Sequence, residues 1–324
     1  MVKLDMNRAI DPKEMRAAYC EALMDAAEEN PGLIALDCDL GSSMGTAPFA
    51  RKYKQRHFNC GIQEANVCGM AAGLSATGFI PFVHSFAVFT SRRICDQVFI
   101  SCAYSRLNVK LIGGDAGVSA ANNGGTHMAF EDVGIMRTIP GITILDPSDT
   151  VMMRKLIPEV AGSYGVHYVR MARKKVRRIY TEDSKFVIGQ AEVLRDGTDV
   201  SIIASGIMVY EALQAADRLA AEGYSVRVVD MFTIKPIDKA CIIDSARKTG
   251  AIVTAENHNI INGLGSAVAE VLVENCPVPM YRVGVRDEFG EVGPQDYLMR
   301  RFGLTADDIY DKAKKVMEEK KNVG

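Results

Sequence analysis

Apolar residues recur at helical spacing in "DPKEMRAAYCEALMDAAEEN", where Met15, Ala18, Tyr19, Ala22, Leu23 and Ala26 share one face. Asp11 as cap and Pro12 at the first helical position predict the start of this helix. Pro31-Gly32 predicts its end. "LIALDCD" then reads as a short buried strand, and Gln63 to Thr77 as a helix rich in Ala and Gly. "FIPFVHSF", "NVKLIGGD", "GITILD" and "GVHYVRMA" read as strands. "VFTSRRICDQVFISCAYSR", "THMAFEDVGIMRTI" and "PSDTVMMRKLIPEVA" read as helices, with "AGVSAANNGG" as a loop. Strands alternating with helices predict an α/β fold, a mostly parallel sheet flanked by helices. Ligands of such sheets lie beyond the carboxyl ends of the strands.

"RKKVRRIYTEDSK" breaks the pattern. It is charged, lacks an apolar face and reads as a solvated linker over 173–189. Alternation then resumes. "DVSIIAS", "YSVRVVDM", "AIVTAE" and "VPMYRVGV" predict strands. "GIMVYEALQAADRLAAEG", "IDKACIIDSARKTG", "LGSAVAEVLVENC" and a polar "TADDIYDKAKKVMEEKK" predict helices. The chain thus divides into two successive α/β domains, 1–172 and 190–324.

Composition narrows the function classes. Apolar residues are 48% and charged residues 24% of 324, a soluble globular balance. A net charge of -2 gives no support for a nucleic-acid or membrane-surface partner. No run approaches ~18 uninterrupted apolar residues, and the first residues lack the apolar core of an export signal. A cytoplasmic location is the expectation. The eight scattered cysteines, none in a Cys-x-x-Cys pair, are expected to be reduced and buried. The five histidines show no metal spacing. No Gly-x-Gly-x-x-Gly turn follows the first strand, which excludes a dinucleotide oxidoreductase of that type.

The run "FNCGIQEANVCGMAAG" places one acid, Glu64, among small and apolar residues. A helix-start carboxylate favoured by the dipole is one reading. Gly69 and Gly73, four apart, would let something bulky lie close.

"GIQEANVCGMAAGLSATGFIPFVHSFAVFTSRRICDQV", "NNGGTH" and "RTIPGITILDPSD" resemble the pyrimidine-binding domain of the transketolase family. The second half, with "TAENHNIINGLGSAVAE", resembles that family's C-terminal domain. The resemblance covers nearly the whole chain. It implies thiamine diphosphate as cofactor, with Glu64 touching the aminopyrimidine ring. A carboxyl in an apolar pocket disfavours its charged form and can share a proton with the ring nitrogen. Phe86 and Phe89 fall where the family stacks an aromatic on the pyrimidine; ordinary core packing is the alternative. His127 matches the family's substrate-facing histidine, where a satisfied cap or core residue is the alternative. Arg173 falls at a sugar-phosphate arginine, or is one more linker cation. Ser43 in "DLGSSMGT" is placed towards the cofactor cleft.

Three positions depart from the full-length pattern. Asn123 stands for an Asp four residues before the histidine. Asp115 stands for a phosphate-contacting His, and Gln63 for an Arg. These put the sugar in doubt more than the cofactor; pentose phosphates, branched sugars and sulfonated sugars all remain. The family's Gly-Asp-Gly…Asn motif for diphosphate and metal is missing. The resemblance is therefore to the C-terminal section of a split transketolase. It implies a separate N-terminal subunit holding the diphosphate and Mg2+ (or Ca2+), no metal site on this chain, self-association through both domains, and an α2β2 assembly. A 2-oxoacid dehydrogenase beta subunit and a catalytically silent scaffold subunit are the alternatives.

Overall fold

The computed structural model describes residues 2–323. Twelve strands among them form two sheets. The first sheet holds β1 (Leu33–Asp37), β2 (His57–Asn59), β3 (Ile80–Phe86), β4 (Lys110–Gly114), β5 (Thr143–Leu145) and β6 (His167–Met171). The second holds β7 (Glu192–Arg195), β8 (Val200–Ala204), β9 (Val226–Asp230), β11 (Ile252–Asn259) and β12 (Met280–Val285). Between β9 and β11 the chain lays β10 (Thr233–Lys235) antiparallel against β5, at the edge of the first sheet. Strand order is β10-β5-β6-β4-β3-β1-β2 and β12-β11-β8-β9-β7. Only β10 and β7 run antiparallel to their neighbours. The α/β architecture of two mostly parallel sheets flanked by helices is as the alternation predicts.

Burial explains the layers. β1, β4, β6, β8 and β9 are buried at every position, as strands covered on both faces must be. On one face of the first sheet the helices Met15–Glu29 and Thr150–Gly162 share a core with Phe82 and Phe86 of β3. On the other face Val83 packs with Val67, Cys68 and Ala71 of the helix Glu64–Ala76. Neighbouring side chains of one strand thus serve opposite cores.

Several sequence expectations shift. The first helix begins at Met15, with Glu14 at its N-cap. Asp11 instead accepts from Lys13 N (2.9 Å), Thr150 Oγ1 (2.5 Å) and Arg178 Nη2 (2.9 Å), which ties three segments together. The helix expected over 88–106 is broken into Ala87–Ser91, Cys95–Gln97 and a π-helical turn Val98–Tyr104. That expected over 126–139 shrinks to Asp132–Arg137, because Met128, Ala129 and Phe130 are drawn into the core. Gly69 and Gly73 are exposed, with nothing of this chain near them. All eight cysteines are unpaired. Cys20, Cys38, Cys68 and Cys102 are buried, whereas Cys60, Cys95, Cys241 and Cys276 are partly exposed, so burial holds for half.

The largest correction concerns the charged segment after β6. Val176, Ile179, Tyr180 and Phe186 are buried. The Ile179 and Tyr180 amides donate to Asp149 at 2.8 and 2.9 Å, and the Tyr180 hydroxyl donates to Asp230 at 2.7 Å. The cations of this segment hid a small apolar set that is buried by tertiary contacts.

The two halves meet at Arg170 on β6, whose side chain is 1% exposed. Its Nε donates to Asp132 (2.7 Å), its Nη1 to Asp146 (3.1 Å) and its Nη2 to the Asn257 carbonyl at β11 (2.9 Å). Ser205, after β8, donates to the same Asp146 at 2.8 Å. Burial alone would push Asp132 up, but Arg170 and His258 outweigh it and hold the carboxyl below its usual range. Arg170→Ala strands two buried carboxylates. It is expected to cost about 3–5 kcal/mol of unfolding free energy, read by urea denaturation, and a loss under about 1 kcal/mol would refute this account of the interface.

Candidate functional site

The carboxyl ends of β1, β3, β4 and β6, adjacent in the sheet, deliver most of the candidate residues. Having laid β2 on one side of β1, the chain turns back to lay β3 on the other. Ligands bind such sheets where the strand order reverses.

Glu64 is the first residue of its helix, reached through a turn in which Gly61 takes φ +77°. A left-handed backbone there suits glycine. The Glu64 side chain points inward and is 1% exposed. Ser85 Oγ, at the end of β3, donates to its Oε1 at 2.9 Å, and Arg93 Nη1 donates to its Oε2 at 2.6 Å. The expected purely apolar surroundings are therefore not what the carboxylate meets. The helix-start position and the burial of the side chain are both present.

The rings gather beside it. Phe86 ends β3, and Phe89 lies one turn along in Ala87–Ser91. His127 closes the 3-10 turn Gly125–His127, with its ring edge-on to Phe86 (5.7 Å between centroids) and to Phe89 (5.4 Å). The Thr126 hydroxyl and His127 Nδ1 are 2.9 Å apart. The Arg93 guanidinium lies over the Phe89 ring, 3.8 Å from its centroid.

A second group forms around Asp115, directly after β4, with φ +57°. Asn123 Nδ2 donates to its Oδ2 at 3.0 Å and Arg173 Nη1 at 3.2 Å; Arg173 Nη2 reaches Ser43 Oγ at 3.3 Å. Burial pushes the Asp115 carboxyl up to about 6, against the pull of Arg173. The structure thus brings Ser43, Asp115, Asn123 and Arg173 together, and Glu64, Phe86, Phe89 and His127 together. Gln63 is exposed and bonds back to the Cys60 carbonyl.

The loop joining the two groups is held from the second sheet. Asn257 Oδ1 accepts from Val118 N (2.9 Å), and its Nδ2 donates to the Ala116 carbonyl (3.0 Å). Gly125 is packed so tightly on Gly290 that a Cβ would stand 2.0 Å from the Gly290 oxygen. That contact explains glycine before Thr126-His127.

Arg93 and Ser85 escaped the sequence reading. Strand alternation could have found Ser85, which shares with Val83 the face turned to the Glu64 helix. Nothing in local spacing announces Arg93, 29 residues beyond Glu64 and at the break between two short helices.

The planar guanidinium of Arg93 meets both the Glu64 carboxylate and the face of Phe89. Among the described residues no cluster of His, Cys, Asp and Glu could hold a metal ion. No helix among them is long and apolar enough to cross a membrane.

Comparison with known proteins places the chain by family. The transketolase pyrimidine binding domain matches residues 11–178, and the transketolase C-terminal domain matches residues 189–309. The chain is 49% identical over 306 residues to the 6-deoxy-6-sulfo-D-fructose transketolase subunit SqwH of Clostridium sp. (strain MSTE9), covering 94% of this chain and 95% of that one. It is 37% identical over 295 residues to an apulose-4-phosphate transketolase subunit of Phocaeicola vulgatus, covering 91% and 94%. Among solved structures, a split gene transketolase described as an inactive beta4 tetramer superposes with TM-score 0.87 at 43% identity, covering 95% and 99%.

Ser85 is the uncharged anchor of the Glu64 carboxylate. Ser85→Ala is expected to lower the unfolding free energy by about 1.5–3 kcal/mol, the range for a hydrogen bond to a charged group. Chemical denaturation of the variant beside the parent chain reads this, and an unchanged midpoint would remove Ser85 from the account.

Proposed function

The chain belongs to the transketolase family, and we propose that it is the C-terminal subunit of a split, thiamine diphosphate-dependent transketolase. The reaction is transfer of a two-carbon ketol unit from a ketose donor to an aldose acceptor. One observation carries the reading: a buried glutamate at a helix start, anchored by Ser85, beside a wall of Phe86, Phe89 and His127.

Each side chain has a task. Glu64 would share a proton with the pyrimidine ring nitrogen and accept the hydrogen bond of that nitrogen once it is protonated. Its burial keeps water from competing for that proton. Ser85 fixes the carboxylate rotamer. Phe89, with Phe86 behind it, offers the flat face on which a heterocycle stacks. Thiamine diphosphate, when bound, supplies the electron sink for the carbon–carbon cleavage. Thr126 holds Nδ1 of His127, which leaves Nε2 to donate to a donor-sugar hydroxyl and to the oxyanion that develops from it.

Ser43, Asp115, Asn123 and Arg173 form the end of the site that meets the far part of the sugar. Arginine suits an anionic tail, phosphate or sulfonate. Pairing with Asp115 partly offsets its charge, which favours the singly charged sulfonate. The 6-deoxy-6-sulfo-D-fructose of the 49% identical relative is accordingly the first donor to try, ahead of pentose phosphates and apulose 4-phosphate.

The diphosphate and its Mg2+ (or Ca2+) fall to a partner N-terminal subunit in an α2β2 assembly. Ile62, just before the Glu64 helix, Met70 on it, and Phe99, Ile100 and Tyr104 on the π-helical turn packed against it are exposed. They suit burial against further chains. The cytoplasm is the expected compartment.

Glu64→Gln keeps the shape and the Ser85 contact but cannot hold the proton. In the complex reconstituted with the N-terminal subunit, ketol transfer should fall at least about 100-fold, with the assembly intact by size-exclusion chromatography. Full activity in that correctly assembled variant would sink the proposal.

A further inference from the structure

Arg93 engages the two groups that the proposed function reserves for the pyrimidine. Its Nη1 donates to Glu64 Oε2 at 2.6 Å, and its guanidinium carbon stands 3.8 Å from the centroid of Phe89. A guanidinium is flat, delocalised and edged with N–H donors. An aminopyrimidine is also flat and meets an acid at its edge. The same carboxylate oxygen and the same ring face cannot serve both groups at once. We propose that Arg93 is a built-in occupant of the pyrimidine pocket, which neutralises Glu64 and covers Phe89 and which the cofactor's pyrimidine must displace. This inference rests on the assignment of Glu64 and Phe89 given above.

The local structure allows the exchange. Arg93 lies in the irregular stretch 92–94 between the helices Ala87–Ser91 and Cys95–Gln97. Its neighbours are fixed: Arg92 pairs with Glu131 at 2.8 Å, and Ile94 is fully buried. The backbone therefore stays while the side chain, 42% exposed, has solvent to swing into. The arrangement also answers a folding problem. A buried carboxylate without a partner is costly. Glu64 has to be buried for its chemistry and needs a countercharge while no ring is there. An arginine rooted at a joint supplies that countercharge and can withdraw. The affinity for the cofactor is then reduced by the fraction of chains in which Arg93 still holds the site.

Thiamine tests this on the full chain alone, because its pyrimidine needs no diphosphate site. Binding is measured by titration calorimetry or ligand-observed NMR for the parent chain, Arg93→Ala, Arg93→Lys and Glu64→Gln. Arg93→Ala is expected to bind thiamine about five-fold tighter or more, since no occupant has to leave. The same variant should melt at a lower temperature, because Glu64 has lost its partner. A merely structural arginine would lower both quantities together. Arg93→Lys, which keeps the charge but not the flat cover, should fall between the two, and Glu64→Gln should bind more weakly than the parent. Binding by Arg93→Ala equal to or weaker than the parent's overturns the inference, as does a failure of every variant to bind. If that happens while Glu64→Gln still abolishes ketol transfer in the reconstituted complex, the functional reading stands and only the role of Arg93 falls.

Discussion

The fold depends on one buried cation. Arg170 sits on β6 with two carboxylates, Asp132 and Asp146, and a main-chain carbonyl from the second sheet around it. Taking a guanidinium out of water is expensive, and only a full set of partners offsets the cost. Those partners come from a helix of the first half, from the loop after β5, and from β11 of the second. None of these segments can shift without breaking a charged bond. Arg170 therefore acts less as a source of net stability than as a lock on relative position. β10, crossing from the second half to the edge of the first sheet, extends the same interlock.

The functional loops hang from this lock. Arg173 is three residues beyond Arg170 on the same strand exit. Asp115 leaves the neighbouring β4, and Asn257, whose carbonyl binds Arg170, uses its side chain to hold Ala116 and Val118. The second half thus shapes a site to which it contributes few groups facing the pocket. Its residues set where Asp115, Asn123 and His127 stand. Gly125 against Gly290 shows how close this buttressing is.

The sequence carried the alternation of strands and helices plainly, because fully buried parallel strands and amphipathic helices have distinct periods. It carried the candidate acid less plainly: Glu64 among small, apolar residues also reads as a helix-start carboxylate, and only the resemblance of the surrounding motifs singled it out. What it hid were pairings set by tertiary contact. The segment 173–189 looked solvated because its basic residues dominate the composition, while the burial of Val176, Ile179, Tyr180 and Phe186 is set by tertiary contacts such as those with Asp149 and Asp230. Asp11 looked like a helix cap because nothing local reveals Thr150 and Arg178 as its partners. Arg93 was invisible for the same reason: its meaning lies in Glu64 and Phe89, and it is placed by a helix break the pattern did not show.

Rigid and movable charge are kept apart in this molecule. Arg170 is 1% exposed and bound on every side, so it has nowhere to go. Arg93 is 42% exposed and rooted between short helices, which is the basis for the proposal that it lets go of Glu64 without disturbing the core. Both meet the same requirement, that a buried carboxylate have a countercharge, but on opposite terms. At Asp132 the pairing is permanent and aligns the two halves. At Glu64 a permanent pairing would defeat the proposed chemistry, since a carboxylate committed to a cation cannot also share a ring nitrogen's proton. A fold that needs an acid both buried and available places its partner at the surface end of the pocket, where solvation can take over the cation when the acid is called upon.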